Sequence, residues 1–253
     1  MKLHGLIKKA TLAASLSVLP TLASAEGKGG SLKLIELFTS HGCSSCPPAD
    51  RLLGDLLNAH EDLMALEYHV DYWNSLVHGS DGSFTDPYSK SDYSMRQREY
   101  NHANLAGRPG VYTPQAVVNG RTASVGSNKR QIVKALSVTS DQALTIAIEN
   151  DDKAADDLKV SISGTAEQRE KLQGLEVRLV SYLDQATTQI TGGENRDLTL
   201  VNHHVVLEVS SLGRVSGSGN LHFRIPRPAA DQGCVVLVQE GARTPVYAAA
   251  ECP

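Results

Sequence analysis

The hydrophobic and polar positions of the first half predict a strand, a helix and a second strand. Short apolar runs at residues 34–38 and 63–70 flank a stretch in which apolar side chains recur at helical spacing. That stretch begins at Cys46, and Pro47 and Pro48 suit a first helical turn. A nearly continuous apolar run is typical of a strand buried on both faces. A helical connection favours a parallel pair, so the carboxyl ends of both strands are expected at one edge of the sheet.

The pattern that follows completes the order of a minimal thioredoxin fold. A polar, aromatic-rich insertion at residues 71–110 contains a predicted helix near residues 90–104 and is placed to cover the active edge. After it, the Asn119-Gly120 pair predicts a tight hairpin turn between two short strands. Ser127 or Asn128 is a candidate cap for a closing helix.

From about residue 140 the pattern changes to short alternating runs typical of strands. The seven runs are at residues 144–148, 158–162, 177–183, 205–209, 221–225, 235–238 and 246–250. Strands of this kind, separated by turn residues, favour an antiparallel sandwich. We therefore predict an α/β thioredoxin-like domain over residues 26–138, followed by an all-β sandwich-like domain over residues 139–253.

The first 25 residues have the pattern of a cleavable secretory signal. Lysines at positions 2, 8 and 9 precede an apolar run at residues 10–22, and Ala23-Ser24-Ala25 provides a small-residue cleavage site. The run is too short for the ~20 residues of a membrane-spanning helix. We expect cleavage after Ala25, export to the periplasm, and no transmembrane segment in the mature chain.

Charge argues against nucleic acid as a partner. The full chain has a formal net charge of −4, and the predicted signal contains three of its lysines and none of its acids. The mature chain is therefore more acidic still. A protein that neutralises phosphates needs the opposite balance.

All four cysteines follow the predicted signal, in a compartment where disulfides persist. Sequence alone permits three pairings, although the close spacing favours Cys43 with Cys46. Cys234 and Cys252 flank two predicted strands of a hairpin, which suits a structural disulfide. A second redox pair that relays electrons from the first is the alternative for these two residues.

The Cys43-Ser44-Ser45-Cys46 segment is the main candidate for chemistry. The first sulfur of a dithiol at a helix start lies near unpaired backbone N–H groups and the positive end of the helix dipole, which stabilise a thiolate. Cys43 is thus the expected attacking residue and Cys46 the resolving one. A protonated His41 would favour the thiolate further. This chemistry needs no external cofactor.

Further candidates are expected at the same edge of the sheet. Thr113-Pro114 precedes the predicted hairpin, where a thioredoxin-type fold places a cis-proline opposite the dithiol, and we expect Thr113 to contact substrate. Tyr112 and Trp73 are assigned to the same substrate-binding surface. His69 and Asp71 follow the second strand and are candidates for proton relay.

Glu36 allows two interpretations. As a buried carboxyl it would relay a proton to Cys46. The pattern favours instead a solvent-facing edge position, and a solvated helix face likewise explains Arg96.

Two other functions remain open. Cys43, Cys46, His41 and His69 form an alternative copper or zinc site, because cysteine and histidine suit these soft ions. Alternatively, the protein is a non-enzymatic scaffold in which both disulfides are structural. The leading interpretation is a cell-envelope thiol–disulfide oxidoreductase that acts on exported proteins or with a redox partner protein. Its direction and oligomeric state are not predicted.

Several motifs also resemble those of a known family. They are IELFTSHGCSSCPPAD at 35–50, HVDYW at 69–73, RQREY at 96–100, YTPQ at 112–115, VNG at 118–120 and GENR at 193–196. The chain is similar to exported bacterial proteins with a thioredoxin-like first half, catalogued mainly as a domain of unknown function. The resemblance implies that fold and a place outside the cytoplasm, and it leaves the reaction open. Family members often continue into a Gly-Trp-x-Asp-Pro-Phe segment, whereas this chain reads VHGSDGSFTDPY at 77–88.

Overall fold

A computed structural model describes residues 32–77, 84–103, 105, 110–138, 142–243 and 245–253. The strands are β1 (Leu34–Thr39), β2 (Met64–His69), β3 (Gln115–Val118), β4 (Thr122–Val125), β5 (Thr145–Asn150), β6 (Asp157–Ser163), β7 (Glu176–Gln189), β8 (Thr199–Arg214), β9 (Leu221–Pro226), β10 (Gln232–Gln239) and β11 (Ala248–Glu251). The helices are α1 (Pro47–Ala59), α2 (Trp73–Leu76), α3 (Ser91–His102), α4 (Lys129–Leu136) and α5 (Ala166–Lys171). None of these helices is both long and apolar enough to cross a membrane. The expected signal and its cleavage after Ala25 lie outside the described residues.

The predicted strand–helix–strand unit is present. β1 and β2 pair in parallel, with Leu34 opposite Met64 and Thr39 opposite His69. Every residue of both strands is buried, as their continuous apolar pattern requires. α1 covers one face of this pair through Leu53, which packs in the same apolar cluster as strand β1. The carboxyl ends of β1 and β2 therefore lie side by side at one edge.

The hairpin and closing helix also form where the sequence predicts them. Asn119 and Gly120 have φ angles of 53° and 62°, the left-handed conformations that a tight hairpin turn demands. The Asn119 side chain accepts a hydrogen bond from the Leu34 N–H at 2.8 Å and so ties the turn to β1. Asn128 caps α4 by accepting from the Gln131 N–H at 3.1 Å.

The second half of the chain extends the same sheet. Eight strands lie in the order β11-β10-β7-β8-β2-β1-β3-β4, and β8 joins β2 at the pair Glu67 and Val205. Tyr68 of β2 shares an apolar cluster with Val180 of β7 and Val235 of β10. The fold is therefore a mixed α/β arrangement with a large, mostly antiparallel sheet. The domain boundary at residues 138/139 stays a prediction, and the sheet crosses that position.

The remaining strands form a second layer. β5, β6 and β9 make a three-stranded antiparallel sheet, and Ile146 and Val160 pack in one cluster with Val236 and Ala248 of the large sheet. All seven strands expected after residue 140 exist. Four of them belong to the large sheet, however, so the predicted sandwich is built partly from strands that continue the first half.

Candidate functional site

A disulfide between Cys43 and Cys46 stands at the start of α1, with their Cα atoms 5.4 Å apart. β1 ends at Thr39, and the chain then turns so that the Cys46 N–H donates to the Cys43 carbonyl at 3.1 Å. The Ala49 N–H donates in turn to the Cys46 carbonyl at 2.8 Å, which begins the helix. The pair thus lies beside the unpaired N–H groups of a helix N-terminus.

A loop from the second half covers the disulfide. Cys43 and Cys46 are both 0% exposed, although the two serines between them are exposed. Asn195 donates to the His41 carbonyl at 2.9 Å and to the Cys43 carbonyl at 2.8 Å. Glu194 accepts from the Ser44 N–H at 2.9 Å and from its hydroxyl at 2.6 Å. We call residues 193–195 the capping loop.

The position of the capping loop depends on a close approach between the backbones of Gly193 and Gly42. Gly193 has a φ of 71°, and a Cβ atom added there would lie 2.9 Å from the Cα of Gly42. Any other residue at position 193 would push the two segments apart. Behind the loop, Phe84, Ile190 and Leu200 form a small apolar cluster. The loop therefore has a defined position against the Cys43 turn.

Thr113 and Trp73 approach the disulfide from another side. The Thr113–Pro114 peptide bond is cis, as its place before β3 predicts. The Thr113 hydroxyl accepts from the Trp73 indole N–H at 2.7 Å. The Ser45 hydroxyl lies 3.5 Å from the Thr113 carbonyl and 3.3 Å from the Cys43 sulfur, which connects the cis-proline segment to the dithiol. Beside it, the carbonyl of Tyr112 accepts from Gln97 at 2.6 Å.

His41, His69 and Asp86 form a buried cluster beneath the Cys43 turn. Asp86 Oδ2 accepts from His69 Nδ1 at 2.8 Å and from the His41 backbone N–H at 2.7 Å. Asp86 Oδ1 lies 3.5 Å from His41 Nδ1. His41 Nε2 is 2.9 Å from Asn202 Oδ1 on β8. The sequence therefore places His41 and His69 together correctly but misses Asp86.

Burial sets the charges in this cluster. Burial and the neighbouring His69 lower the pKa of His41, so its imidazole is neutral at neutral pH. Burial opposes ionisation of Asp86, but His69 and His41 outweigh it and hold the pKa of that carboxyl well below its usual range. A neutral His41 does not supply the positive charge expected from it beside Cys43.

Comparison with known proteins places the chain in a family. Residues 34–239 match the family described as a protein of unknown function, DUF1223. The chain belongs to DUF1223. No curated protein matches it significantly.

Two solved structures resemble this DUF1223 chain. A crystal structure of a protein from Agrobacterium tumefaciens is 27% identical, with a TM-score of 0.68 over 87% of this chain and 93% of that one. HBP35 of Porphyromonas gingivalis is 13% identical, with a TM-score of 0.55 over 89% of this chain and 76% of that one. The second likeness concerns the fold alone.

Two buried carboxyls that the sequence analysis missed lie behind the disulfide of this DUF1223 member. Asp50, one turn after Cys46, accepts from the Thr39 hydroxyl at 2.8 Å. Burial raises the pKa of Asp50 to about 6, although hydrogen bonds with Glu67 and Thr39 oppose the shift. Burial and the charge of Asp50 raise the pKa of Glu67 well above its usual range. The folded structure therefore favours the protonated form of Glu67 beside Asp50.

Asn202 connects this carboxyl pair to the histidines. Its amide nitrogen donates to Glu67 at 2.8 Å, while its oxygen faces His41. Signals for these residues exist in the sequence: Glu67 interrupts an apolar run, and both Asp50 and Asn195 lie within the family motifs. Their contacts depend on strand β8 and on the capping loop, which are far away along the chain.

The expectation of a solvent-facing Glu36 is wrong. Glu36 is 0% exposed because β1 is flanked by β2 and β3 and is covered on its faces. It accepts from Arg96 Nε at 2.7 Å and from the Tyr100 hydroxyl, and so it is committed to this pair rather than directed to Cys46. Arg96 is itself buried and also donates to Gln239, so it does not form a solvated helix face.

Two other expected roles change with the geometry. Asp71 binds Ser94 at the start of α3 through both its backbone N–H and its carboxylate, rather than joining His69. The alternative metal set of two cysteines and two histidines requires reduced cysteines, and in this structure the two sulfurs are bonded to each other. Within the described residues, the group with metal-binding geometry is His41, His69 and Asp86.

Proposed function

We propose that this protein is a thiol–disulfide oxidoreductase of the cell envelope. The observation that carries the proposal is the Cys43–Cys46 disulfide at the N-terminus of α1, connected through Ser45 to a cis Thr113–Pro114 segment. A short-loop disulfide at a helix start combines a reactive sulfur with a nearby resolving sulfur.

The proposal includes a thioredoxin-like first half. β1, α1, β2, α3, the β3–β4 hairpin and α4 follow one another in the order of that fold, with β1 between a parallel and an antiparallel neighbour. The addition of β8 beside β2 is a departure from the minimal arrangement. Export with cleavage after Ala25 belongs to the same proposal, because disulfides form and persist in oxidising compartments outside the cytosol.

The exchange runs in two balanced steps. A thiolate of the partner attacks the Cys43 sulfur, which forms a mixed disulfide and releases Cys46 as a thiolate that takes up a proton. A second partner thiolate then attacks the partner's own sulfur, which releases Cys43 and leaves the partner oxidised and this protein reduced. The reverse sequence, with Cys43 attacking and Cys46 resolving, reduces the partner.

Access to the sulfur requires the capping loop to move. Both cysteines are fully buried, and Glu194 and Asn195 hold the Cys43 turn by four side-chain hydrogen bonds and one backbone hydrogen bond. Once the loop moves, the backbone of Thr113 is available to pair with an extended substrate segment. Trp73 supports that segment through its bond to the Thr113 hydroxyl.

The reduction potential of the Cys43/Cys46 pair tests the proposal. The protein is equilibrated in glutathione buffers and free thiols are counted, with Cys43→Ser to identify the signal of the other pair. We expect a value between about −120 and −270 mV, the range of thiol oxidoreductases. A value below about −300 mV marks a permanent clip. That result would contradict the enzyme proposal and favour the interpretation as a non-enzymatic scaffold. The complete burial of the pair would then account for its low potential.

A further inference from the structure

The hydrogen bonds around His41 leave its ring nitrogen Nδ1 facing a carboxylate oxygen of Asp86. Asn202 donates to Glu67 through its amide nitrogen, so its oxygen must accept from His41 Nε2. The hydrogen-bond network therefore assigns the proton of the neutral ring to Nε2 and a lone pair to Nδ1. That lone pair has no hydrogen-bond partner among the described residues and lies 3.5 Å from the carboxylate oxygen of Asp86.

His69 approaches the same carboxylate from another side. Its Nδ1 lies 2.8 Å from Asp86 Oδ2, and its Nε2 is buried without a hydrogen-bond partner in the described part of the chain. An ion bound to Asp86 can reach His69 only through Nδ1, because Nε2 points away from that carboxylate, so metal binding displaces the proton on Nδ1. His41 already has the pattern of metal-binding histidines, whose second ring nitrogen is almost always held by a carboxylate or another acceptor.

The distances suit a small divalent ion. Two ligand atoms about 2.1 Å from a tetrahedral ion lie about 3.4 Å from each other. The His41 Nδ1 and Asp86 Oδ1 atoms are 3.5 Å apart. One ligating atom from each of His41, His69 and Asp86 lies within 4.8 Å of the others. Bringing two atoms from that 4.8 Å limit to 3.4 Å takes a combined movement of about 1.4 Å, which side-chain adjustment on binding can provide.

The buried carboxylate also faces the unpartnered nitrogen of His41. Asp86 Oδ1 and His41 Nδ1 are 3.5 Å apart, and both residues are 1% exposed. Two acceptor atoms that face each other in a buried site are costly unless a proton or a cation lies between them.

We propose that His41, His69 and Asp86 bind one divalent transition-metal ion. Two imidazoles and one carboxylate suit zinc, iron(II) or cobalt(II) and leave further coordination positions open. The site contains no sulfur and does not require reduced cysteines, so it is independent of the proposed exchange chemistry. The half-buried ring of Tyr88 packs edge-on against both histidines, with ring centroids 5.9 Å from His41 and 5.5 Å from His69.

The test uses the oxidised protein with Zn²⁺ and Co²⁺ alone. Competition with a chromogenic chelator should show one Zn²⁺ per chain, and Zn²⁺ should raise the thermal unfolding midpoint. The Co²⁺ complex should show d–d absorption bands without a thiolate-to-cobalt charge-transfer band. Failure of the wild-type protein to bind either ion overturns the proposal, and so does a thiolate band. These wild-type results decide the question even if a variant fails to fold.

Variants then locate the site. His69→Gln and His41→Gln should each weaken Zn²⁺ binding by more than about 100-fold, the upper end of what loss of a ligand's hydrogen-bond partner costs. Asn202→Ala, which removes the acceptor that orients His41, should weaken it by about 10- to 100-fold. His60→Gln is the matched control, because His60 is exposed at the end of α1. Equal binding by a folded His69→Gln variant and the control would overturn the assignment.

Discussion

The two disulfides of this protein differ both in burial and in surroundings: Cys43 and Cys46 are fully buried, whereas Cys234 is buried and Cys252 is partly exposed. Cys43–Cys46 spans three positions at a helix start, beneath a polar loop. Cys234–Cys252 spans 18 positions, with Cα atoms 5.2 Å apart, and continues the pairing of β10 with β11. The second bridge lies among apolar side chains such as Val236 and Ala250.

Burial alone does not identify the exchanging bridge, because the bridge proposed for exchange is the more buried of the two. The two bridges differ in the kind of structure that covers them. Side-chain hydrogen bonds hold the capping loop over Cys43, whereas the sheet and its apolar core enclose Cys234. A loop held by hydrogen bonds opens locally at much lower free energy than a sheet core. We therefore expect the two bridges to differ in function, with exchange at Cys43–Cys46 and a structural role for Cys234–Cys252.

The largest expected difference is in exchange activity. Cys43→Ser should lower the rate of dithiol oxidation of a model peptide by about 100-fold or more, because no mixed disulfide can form without the first sulfur. The double variant Cys234→Ser/Cys252→Ser should keep most of that activity. Loss of activity in the double variant, measured where it is still folded, would support the electron-relay alternative for the second pair.

The second expected difference is in stability, and it runs in the opposite direction. Removing the Cys234–Cys252 bridge should lower the free energy of unfolding by about 3 kcal/mol, because it frees a long loop in the unfolded chain. Removing Cys43–Cys46 frees a shorter loop and should cost about 2 kcal/mol on the same estimate. Urea denaturation of the two double Ser variants measures both values. A greater loss at Cys43–Cys46 would make that bridge the main structural one.

A third difference concerns the buried carboxyls Asp50 and Glu67, which lie behind the Cys43–Cys46 disulfide. Asp50 has a pKa raised to about 6, so folding favours its protonated form. The stability that this form contributes is complete below the unfolded pKa of about 4 and is lost as pH rises through about 6.

Asp50→Asn imitates the protonated carboxyl and should remove that loss. Relative to wild type, the variant should gain about 2–3 kcal/mol in unfolding free energy between pH 4 and pH 8. Denaturant titrations across this range measure the gain, with Asp55→Asn on the exposed face of α1 as control. Parallel pH profiles of wild type and Asp50→Asn would show that Asp50 is ionised in the folded protein.

Local sequence patterns predicted the elements near the first disulfide because local chemistry decides them. The helix start at Cys46, the turn at Asn119-Gly120 and the cis bond at Pro114 depend on residues within a few positions of each other. The Cys234–Cys252 pairing follows similarly from two adjacent strands.

The rest depends on strand neighbours that no local pattern encodes. β8 lies beside β2, which brings Asn202 to Glu67 across a separation of 135 residues, and the capping loop reaches Cys43 from 152 residues away. Glu36 is buried because β1 has a strand on each side. Periodicity indicates which residues form strands but not which strands become neighbours, so the site was predicted without its cover and without Asp86.

The smallest effect is expected from a substitution in the capping loop. It compares the protection of the two bridges most directly, because both disulfides stay intact. Asn195→Ala removes the hydrogen bonds to the His41 and Cys43 carbonyls. A net loss of about 1.4 kcal/mol in holding the loop closed corresponds to about tenfold faster reduction of Cys43–Cys46 by dithiothreitol. Arg196→Ala in the same segment is the control, since Arg196 is half-exposed and its ion pair is with neighbouring Asp197 at 3.9 Å. Reduction of Cys234–Cys252 should keep its rate in both variants, because the loop does not cover it. An unchanged rate for Cys43–Cys46 in Asn195→Ala would mean that the capping loop is not the barrier to reduction of this bridge.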